Sequence, residues 1–175
     1  MKERITLTGR IGFEPQDKTN KHLLQSSWKK IAMVFIEGDV CEYYAWFLQK
    51  RYNITLNKPI RGAHVSFIND SMRDLTKNND NLEEEILQLW EDVKTKWDGK
   101  EIDIVLDLNP RTDGRIWWLN IPEEKREGLQ AIRDELGLDR PFFGMHMSIG
   151  YANERNIEQS LYIHELIKQE YIRFD

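Results

Sequence analysis

The sequence has one cysteine, five prolines and no long apolar run. A lone cysteine, Cys41, cannot form an intramolecular disulfide, which favours a reducing, cytoplasmic location. The longest apolar stretch covers only residues 31–36, whereas a membrane-spanning helix needs roughly 20 apolar residues. No apolar segment follows the charged start at 2–4, so the sequence predicts no signal peptide. These absences exclude disulfide-stapled and membrane-spanning classes and predict a cytoplasmic protein with no membrane partner.

An excess of basic side chains is also missing. The 175 residues carry 25 Lys and Arg against 30 Asp and Glu, a formal charge of -5. Proteins that grip long DNA or RNA usually present a basic surface that displaces counterions. Long nucleic acids are therefore disfavoured as partners, whereas a small nucleotide bound in a local basic pocket is compatible with this net charge. No Pro-, Gly- or Ser-rich linker divides the chain, so the sequence predicts one domain over 1–175.

Hydrophobic periodicity predicts an α+β fold. Strands are expected at 30–37, 62–68, 102–106, 115–119 and 144–151, with a weaker one within 1–12 and a short one at the C-terminus. Helices are expected at 40–52, 82–97, 122–136 and 156–169. The polar residues 70–81 are assigned to no element. Turn signals between strands favour hairpin-type links, so the sheet should be mostly antiparallel and flanked by helices.

One internal repeat carries the chemistry. The segment Gly-Ala-His-Val-Ser-Phe at 62–67 recurs as Gly-Met-His-Met-Ser-Ile at 144–149, and two of the four histidines lie in it. Side chains two residues apart share one face of a strand. His64 and Ser66 should therefore point the same way, as should His146 and Ser148, with apolar side chains on the opposite face. Two such strands side by side would present two imidazoles and two hydroxyls to one cleft.

Two imidazoles and two hydroxyls suit phosphodiester chemistry. An imidazole titrates near neutral pH in general, so one histidine can accept a proton while the other donates one. The hydroxyls of Ser66 and Ser148 can donate hydrogen bonds to the non-bridging phosphate oxygens. The pattern leaves open which of His64 and His146 is the acid. A purely structural role for each histidine is the alternative, and two matched copies argue against it.

Four further residues are candidates for binding a substrate. Trp28 precedes a predicted strand and could stack on a base, and one of the adjacent pair Trp117 and Trp118 could face the site, with Trp117 taken as the candidate. Tyr151 would need a bend at the preceding glycine to reach the pocket. Arg61 precedes the first motif and could attract a phosphate. No zinc-type Cys/His spacing and no glycine-rich phosphate loop is found, so no metal or cofactor is expected.

The paired His-x-Ser motifs resemble those of the two-histidine phosphoesterase superfamily, which includes the RNA-ligase-like cyclic phosphodiesterases. The resemblance implies a bilobal, pseudo-two-fold α+β fold with the motifs on central strands, and metal-free cleavage of 3′-5′, 2′-5′ or 2′,3′-cyclic phosphodiester bonds. Members often have Thr where this chain has Ser66 and Ser148. Residues 43–66 are similar to small phage proteins of the superfamily, the anti-CBASS nucleases, which degrade the cyclic oligonucleotide messengers of a bacterial defence system.

The expected function is that of a metal-independent phosphodiesterase that hydrolyses small cyclic nucleotides, acting in the host cytoplasm if the chain is of phage origin. Two alternatives stay open. One is a 2′,3′-cyclic phosphodiesterase that acts on RNA ends. The other is a non-catalytic module that sequesters a nucleotide, for which retention of both His-x-Ser motifs would be unnecessary.

Overall fold

A computed structural model describes residues 3–15, 29–77, 83–141, 144–172 and 174. The strands are β1 (Arg4–Phe13), β2 (Lys29–Ile36), β3 (Leu56–Asn57), β4 (His64–Ser71), β5 (Glu101–Asp107), β6 (Arg111–Thr112), β7 (Ile116–Asn120) and β8 (His146–Ala152). The helices are α1 (Val40–Tyr52), α2 (Met72–Lys77), α3 (Glu83–Trp97), α4 (Glu127–Glu135) and α5 (Ile157–Lys168). Single 3-10 turns cover Glu123–Lys125 and Glu154–Asn156. No helix in this part of the chain is long and apolar enough to cross a membrane.

The strands form one curled antiparallel sheet in the order β5-β1-β2-β4-β8-β7-β6, with β3 paired to the end of β8. The predicted α+β class with an antiparallel sheet is therefore confirmed. The order is symmetrical about the β4–β8 junction, because β1-β2-β4 on one side is matched by β6-β7-β8 on the other. Strand β5 then extends the sheet at the β1 edge. The finer two-histidine phosphoesterase fold stays a prediction.

Helices α1 and α4 pack on one face of the sheet, each against a strand from the other half of the chain. Helix α1 follows β2 but packs on β8, and helix α4 follows β7 but packs on β4. Each helix thus lies over the motif strand of the other half of the chain. The buried faces of β4 and β8, with Val65 and Met147 fully buried, meet the apolar stripes of these helices to form the core. Burial of these stripes, at about 25 cal/mol per Å² of apolar surface, is what holds the two halves together.

Several boundaries differ from the expected ones. The weak strand within 1–12 is a ten-residue strand paired on both sides, by β2 and β5. The helix expected at 122–136 is divided, because the Lys125 and Arg126 amides donate to carbonyls three residues back, which makes a 3-10 turn before α4 begins. The polar segment 70–81 contains α2, and the short strands β3 and β6 were not expected. Within the described C-terminal residues 169–172 and 174, no terminal strand forms, so that expectation is wrong.

Candidate active site

The two histidine motifs lie on neighbouring antiparallel strands. Val65 on β4 is paired with Met147 on β8, so the register places His64 opposite Ser148 and Ser66 opposite His146. All four side chains are half-buried, and they alternate with buried apolar residues. His64 and His146 are diagonal neighbours on one face of the sheet, a relation in which residues generally lie about 7–8 Å apart. The predicted pairing of the motif strands, with one shared polar face, is confirmed.

A glycine with the same backbone hydrogen bond precedes each histidine motif. The Gly62 amide donates to the Pro59 carbonyl at 3.0 Å, and the Gly144 amide donates to the Pro141 carbonyl at 3.2 Å. Both glycines have positive φ, +70° and +50°, the left-handed conformation that glycine adopts at little cost. The repeat is therefore longer than the histidine motif and reads Pro-x-x-Gly-x-His-x-Ser. The two prolines, three residues before each glycine, are a sequence signal of this longer repeat.

The turn also orients the imidazoles. Nδ1 of His64 lies 2.8 Å from the Gly62 carbonyl oxygen, and Nδ1 of His146 lies 3.3 Å from the Gly144 carbonyl oxygen. A carbonyl oxygen only accepts hydrogen bonds, so Nδ1 must carry the proton in each ring. In the neutral imidazole, Nε2 is then the unprotonated nitrogen. The glycine carbonyls thus fix the same tautomer in both rings.

A β-bulge follows each serine at the same position. On the β2 side, Ala32 pairs with Ile68 and Met33 with Ser66, which leaves Phe67 as the extra residue. On the β7 side, Trp117 pairs with Gly150 and Trp118 with Ser148, which leaves Ile149 as the extra residue. A bulge resets the alternation of faces. Two consecutive buried residues therefore follow each serine, and the next side chain returns to the polar face.

The bulge explains how Tyr151 shares the polar face with His146 despite its odd spacing. Tyr151 is 41% exposed and pairs with Ile116 of β7. Ile116 lines the cleft described next, whereas Tyr151 is not among its lining residues. The expected bend is present as a bulge one residue before Gly150. Asn69 is the matching residue after the bulge in β4, and it lines the same cleft.

A cleft of about 960 Å³ opens on the polar face and reaches Ser66 and His146. His64 and Ser148 are not among the residues that line it; they lie one register position along the same face. The expectation that both imidazoles and both hydroxyls face one cleft is therefore met only for His146 and Ser66. Its walls carry side chains of both signs: Lys29, Lys77, Arg111, Arg133 and Arg140, with Asp70, Asp74, Asp113 and Asp139. Burial raises the pKa of Asp113, but the amides of Ile116 and Arg115 donate to its carboxylate and outweigh that effect, so the net pKa is lowered.

The tryptophan that faces the site is Trp118, so the choice of Trp117 was wrong. Trp117 is fully buried, and its Nε1 donates to the Ser160 hydroxyl of α5 at 3.1 Å. Trp118 lies opposite Ser148, lines the cleft, and has its ring centroid 5.8 Å from that of His146. The alternation required one of the two indoles to be in the core, and the register of β7 against β8 decides which.

The remaining predicted residues are placed as follows. The Arg61 Nη1 lies 3.6 Å from the Met33 sulfur, and Met33 is the cross-strand neighbour of Ser66, so Arg61 is on the β2 side of the motif face. Trp28 lies outside the described residues. Among the described ranges, no cluster of three His, Cys, Asp or Glu side chains could hold a metal ion.

Two side chains whose roles were not predicted from the sequence contact backbone carbonyls of the motif strands from the helices. Arg133 of α4 is 1% exposed and donates to the Phe67 carbonyl at 2.8 Å, while forming a bidentate ion pair with Asp70. It therefore holds the bulge next to Ser66. Cys41 of α1 lies 3.5 Å from the Ser148 carbonyl oxygen, and burial raises its pKa to about 11, so the thiol stays protonated and can donate.

Comparison with known proteins gives no match to a family model, to a curated protein or to a solved structure. The functional argument therefore depends on the residues and the geometry of the motif strands.

Proposed function

We propose that the protein is a metal-independent phosphodiesterase that hydrolyses small cyclic nucleotides on the face formed by β4 and β8. The observation that carries the proposal is the matched pair of imidazoles on adjacent strands. In each, Nδ1 donates to a glycine carbonyl, which makes Nε2 the basic nitrogen of the neutral ring. A structural role alone would not require the same tautomer to be set twice on one face.

The reaction needs one proton removed and one delivered. One Nε2 takes a proton from the attacking hydroxyl, from water or from a neighbouring ribose 2′-OH, as the new O–P bond forms. The P–O bond to the leaving oxygen breaks, and the second imidazole, as imidazolium, gives that oxygen its proton. Ser66 and Ser148 lie across from the two histidines, where their hydroxyls would donate to the non-bridging oxygens as charge develops.

Charge and size favour a small ligand. The net charge of -5 opposes long nucleic acids, while Arg111 and Lys29 in the cleft provide local positive charge. A volume of about 960 Å³ lies near the top of the range for small-molecule sites, about 300–1,000 Å³, and exceeds what one nucleotide needs. The proposed substrate is therefore a cyclic oligonucleotide, and in a phage-infected cell its hydrolysis would remove a defence messenger.

A substrate panel in EDTA tests the proposal. Purified protein is incubated with cyclic dinucleotides, cyclic trinucleotides and a 2′,3′-cyclic mononucleotide, and the products are separated by chromatography. We expect hydrolysis of at least one cyclic oligonucleotide, with the same rate in the presence and absence of EDTA. The variant His64→Ala/His146→Ala is the negative control, and His164→Asn, which alters a half-buried histidine on α5, is the matched control.

Three outcomes would contradict the proposal. Loss of turnover in EDTA that Mg²⁺ or Mn²⁺ restores would indicate a metal mechanism. Hydrolysis of the 2′,3′-cyclic mononucleotide alone would favour action on RNA ends. A cyclic dinucleotide that binds but stays intact for an hour with protein in excess would favour sequestration.

A further inference from the structure

The two histidines have different neighbours on the outer strands. On β2, the residue opposite His64 is Phe35, and the two ring centroids are 6.4 Å apart. On β7, the residue opposite His146 is Asn120, which lines the cleft together with Ser66 and His146. Equivalent positions of the two halves thus hold an apolar ring in one case and a polar amide in the other.

The orientation of the Asn120 amide follows from its contact with Trp118. The Trp118 Nε1 lies 3.0 Å from Oδ1 of Asn120. An indole N–H can only donate, so the amide atom that meets it must be the oxygen. The amide nitrogen, with its two N–H groups, therefore lies at the other end of the planar amide group. Asn120 is half-buried and borders the cleft, so this donor end is directed away from the indole beside His146.

We infer that Asn120 is a substrate-contacting residue, whose amide N–H groups donate to a phosphate oxygen on the His146 side, and that Trp118 is its positioning residue. The inference rests on the proposed function. An amide donor whose orientation is set before the substrate arrives stabilises developing negative charge without reorganisation. Phe35, at the equivalent position beside His64, has no donor in its side chain, so this amide contact would be made only on the His146 side.

Three variants test the contact by activity. Asn120→Asp keeps the acceptor for Trp118 but replaces the donor with a negative charge, and Asn120→Ala removes both. We expect kcat/KM to fall about 10- to 100-fold in each, as for loss of a hydrogen bond to a charged group. Trp118→Phe keeps an aromatic ring but releases the amide, and should cost less. Asn69→Asp introduces the same charge elsewhere in the cleft and controls for the effect of charge alone.

A second measurement does not need turnover. The side-chain amide resonances of Asn120 are identified in ¹H–¹⁵N spectra by their loss in Asn120→Asp and are followed during titration with inorganic phosphate. We expect them to shift with saturation, and the Trp118→Phe variant to bind phosphate more weakly. A purely structural role for Asn120 would leave these resonances in place.

The outcomes separate the inference from the proposed function. If the protein hydrolyses cyclic nucleotides but Asn120→Ala is as active as wild type, or if Asn120→Asp and Asn69→Asp lose activity equally, the contact is overturned and the function stands. If phosphate moves the Asn120 resonances while no substrate is hydrolysed, the contact stands and the proposed function fails. Phosphate binding that leaves the Asn120 resonances unmoved would also overturn the contact.

Discussion

The two halves of the site share a frame and differ in what surrounds it. Both copies have the Pro-x-x-Gly turn, the glycine carbonyl at Nδ1 and the bulge after the serine. They differ on the outer strands, where Phe35 faces His64 and Asn120 faces His146. In β4 a buried arginine donates to the carbonyl of Phe67, one residue after the serine, whereas in β8 a thiol lies beside the carbonyl of the serine itself, Ser148. Two histidines with the same backbone contacts but different neighbouring side chains suit an acid–base pair, because the two members of such a pair must differ in protonation.

Removal of either imidazole should have the largest effect. If His64 and His146 act on one transition state, His64→Ala or His146→Ala should lower the single-turnover rate about 10²- to 10⁴-fold. The double variant should lose little more, because effects within a catalytic unit are not additive. The wild-type pH–rate profile should be bell-shaped, since one ring must be neutral and the other protonated. Rates are measured by rapid quench over pH 5–9.

Unequal losses would sharpen the comparison between the halves. A variant that keeps near-wild-type chemistry would show that its histidine belongs to the architecture, and the paired mechanism would be wrong. Multiplicative losses in the double variant would show that the two rings act on different steps. Ser66→Ala and Ser148→Ala serve as milder matched changes, because each removes one hydrogen bond to the phosphate.

The supports behind the two motif strands should differ in stability. Arg133→Met leaves the Asp70 carboxylate and the Phe67 carbonyl without their buried donor, which typically costs about 3–5 kcal/mol of unfolding free energy. Cys41→Ala removes a weak thiol donor and a small buried side chain, and should cost about 1–2 kcal/mol. Urea unfolding monitored by circular dichroism measures both. A larger loss of unfolding free energy in Cys41→Ala than in Arg133→Met would contradict this order of the two contributions.

A double variant distinguishes the ion pair from simple packing. Asp70→Asn combined with Arg133→Met removes both charges, so it should be less destabilised than the sum of the single variants. Full additivity would mean that the arginine contributes through its contacts with the backbone and not through Asp70.

The faces of the motif strands and most helices could be predicted from the sequence, because apolar residues repeat with period 2 in a half-buried strand and period 3.6 in a helix. The choice between Trp117 and Trp118 could not be predicted, because alternation places the two indoles on opposite faces of the strand without showing which face is in the core. The pairing of β7 with β8 shows which indole is buried. The bulges were also missed. Their trace is the second apolar residue after each serine, which interrupts the alternation, and that interruption is what returns Tyr151 to the polar face.

Changes at the two turn glycines should give the smallest effects and test whether the frames are equivalent. Among the described residues, a Cβ at Gly62 would meet nothing within 4 Å, and the atom nearest to one at Gly144 would be in the Arg126 guanidinium, at 3.4 Å, an ordinary contact. The cost of alanine should therefore come from positive φ alone, about 1–2 kcal/mol of unfolding free energy at either position. Asparagine tolerates the left-handed region better than alanine. We expect Gly62→Asn and Gly144→Asn to be less destabilised than the alanine variants in thermal unfolding, with the same order at both sites. If alanine leaves the unfolding free energy unchanged at one glycine and lowers it at the other, the backbone conformations at the two glycines are not equivalent.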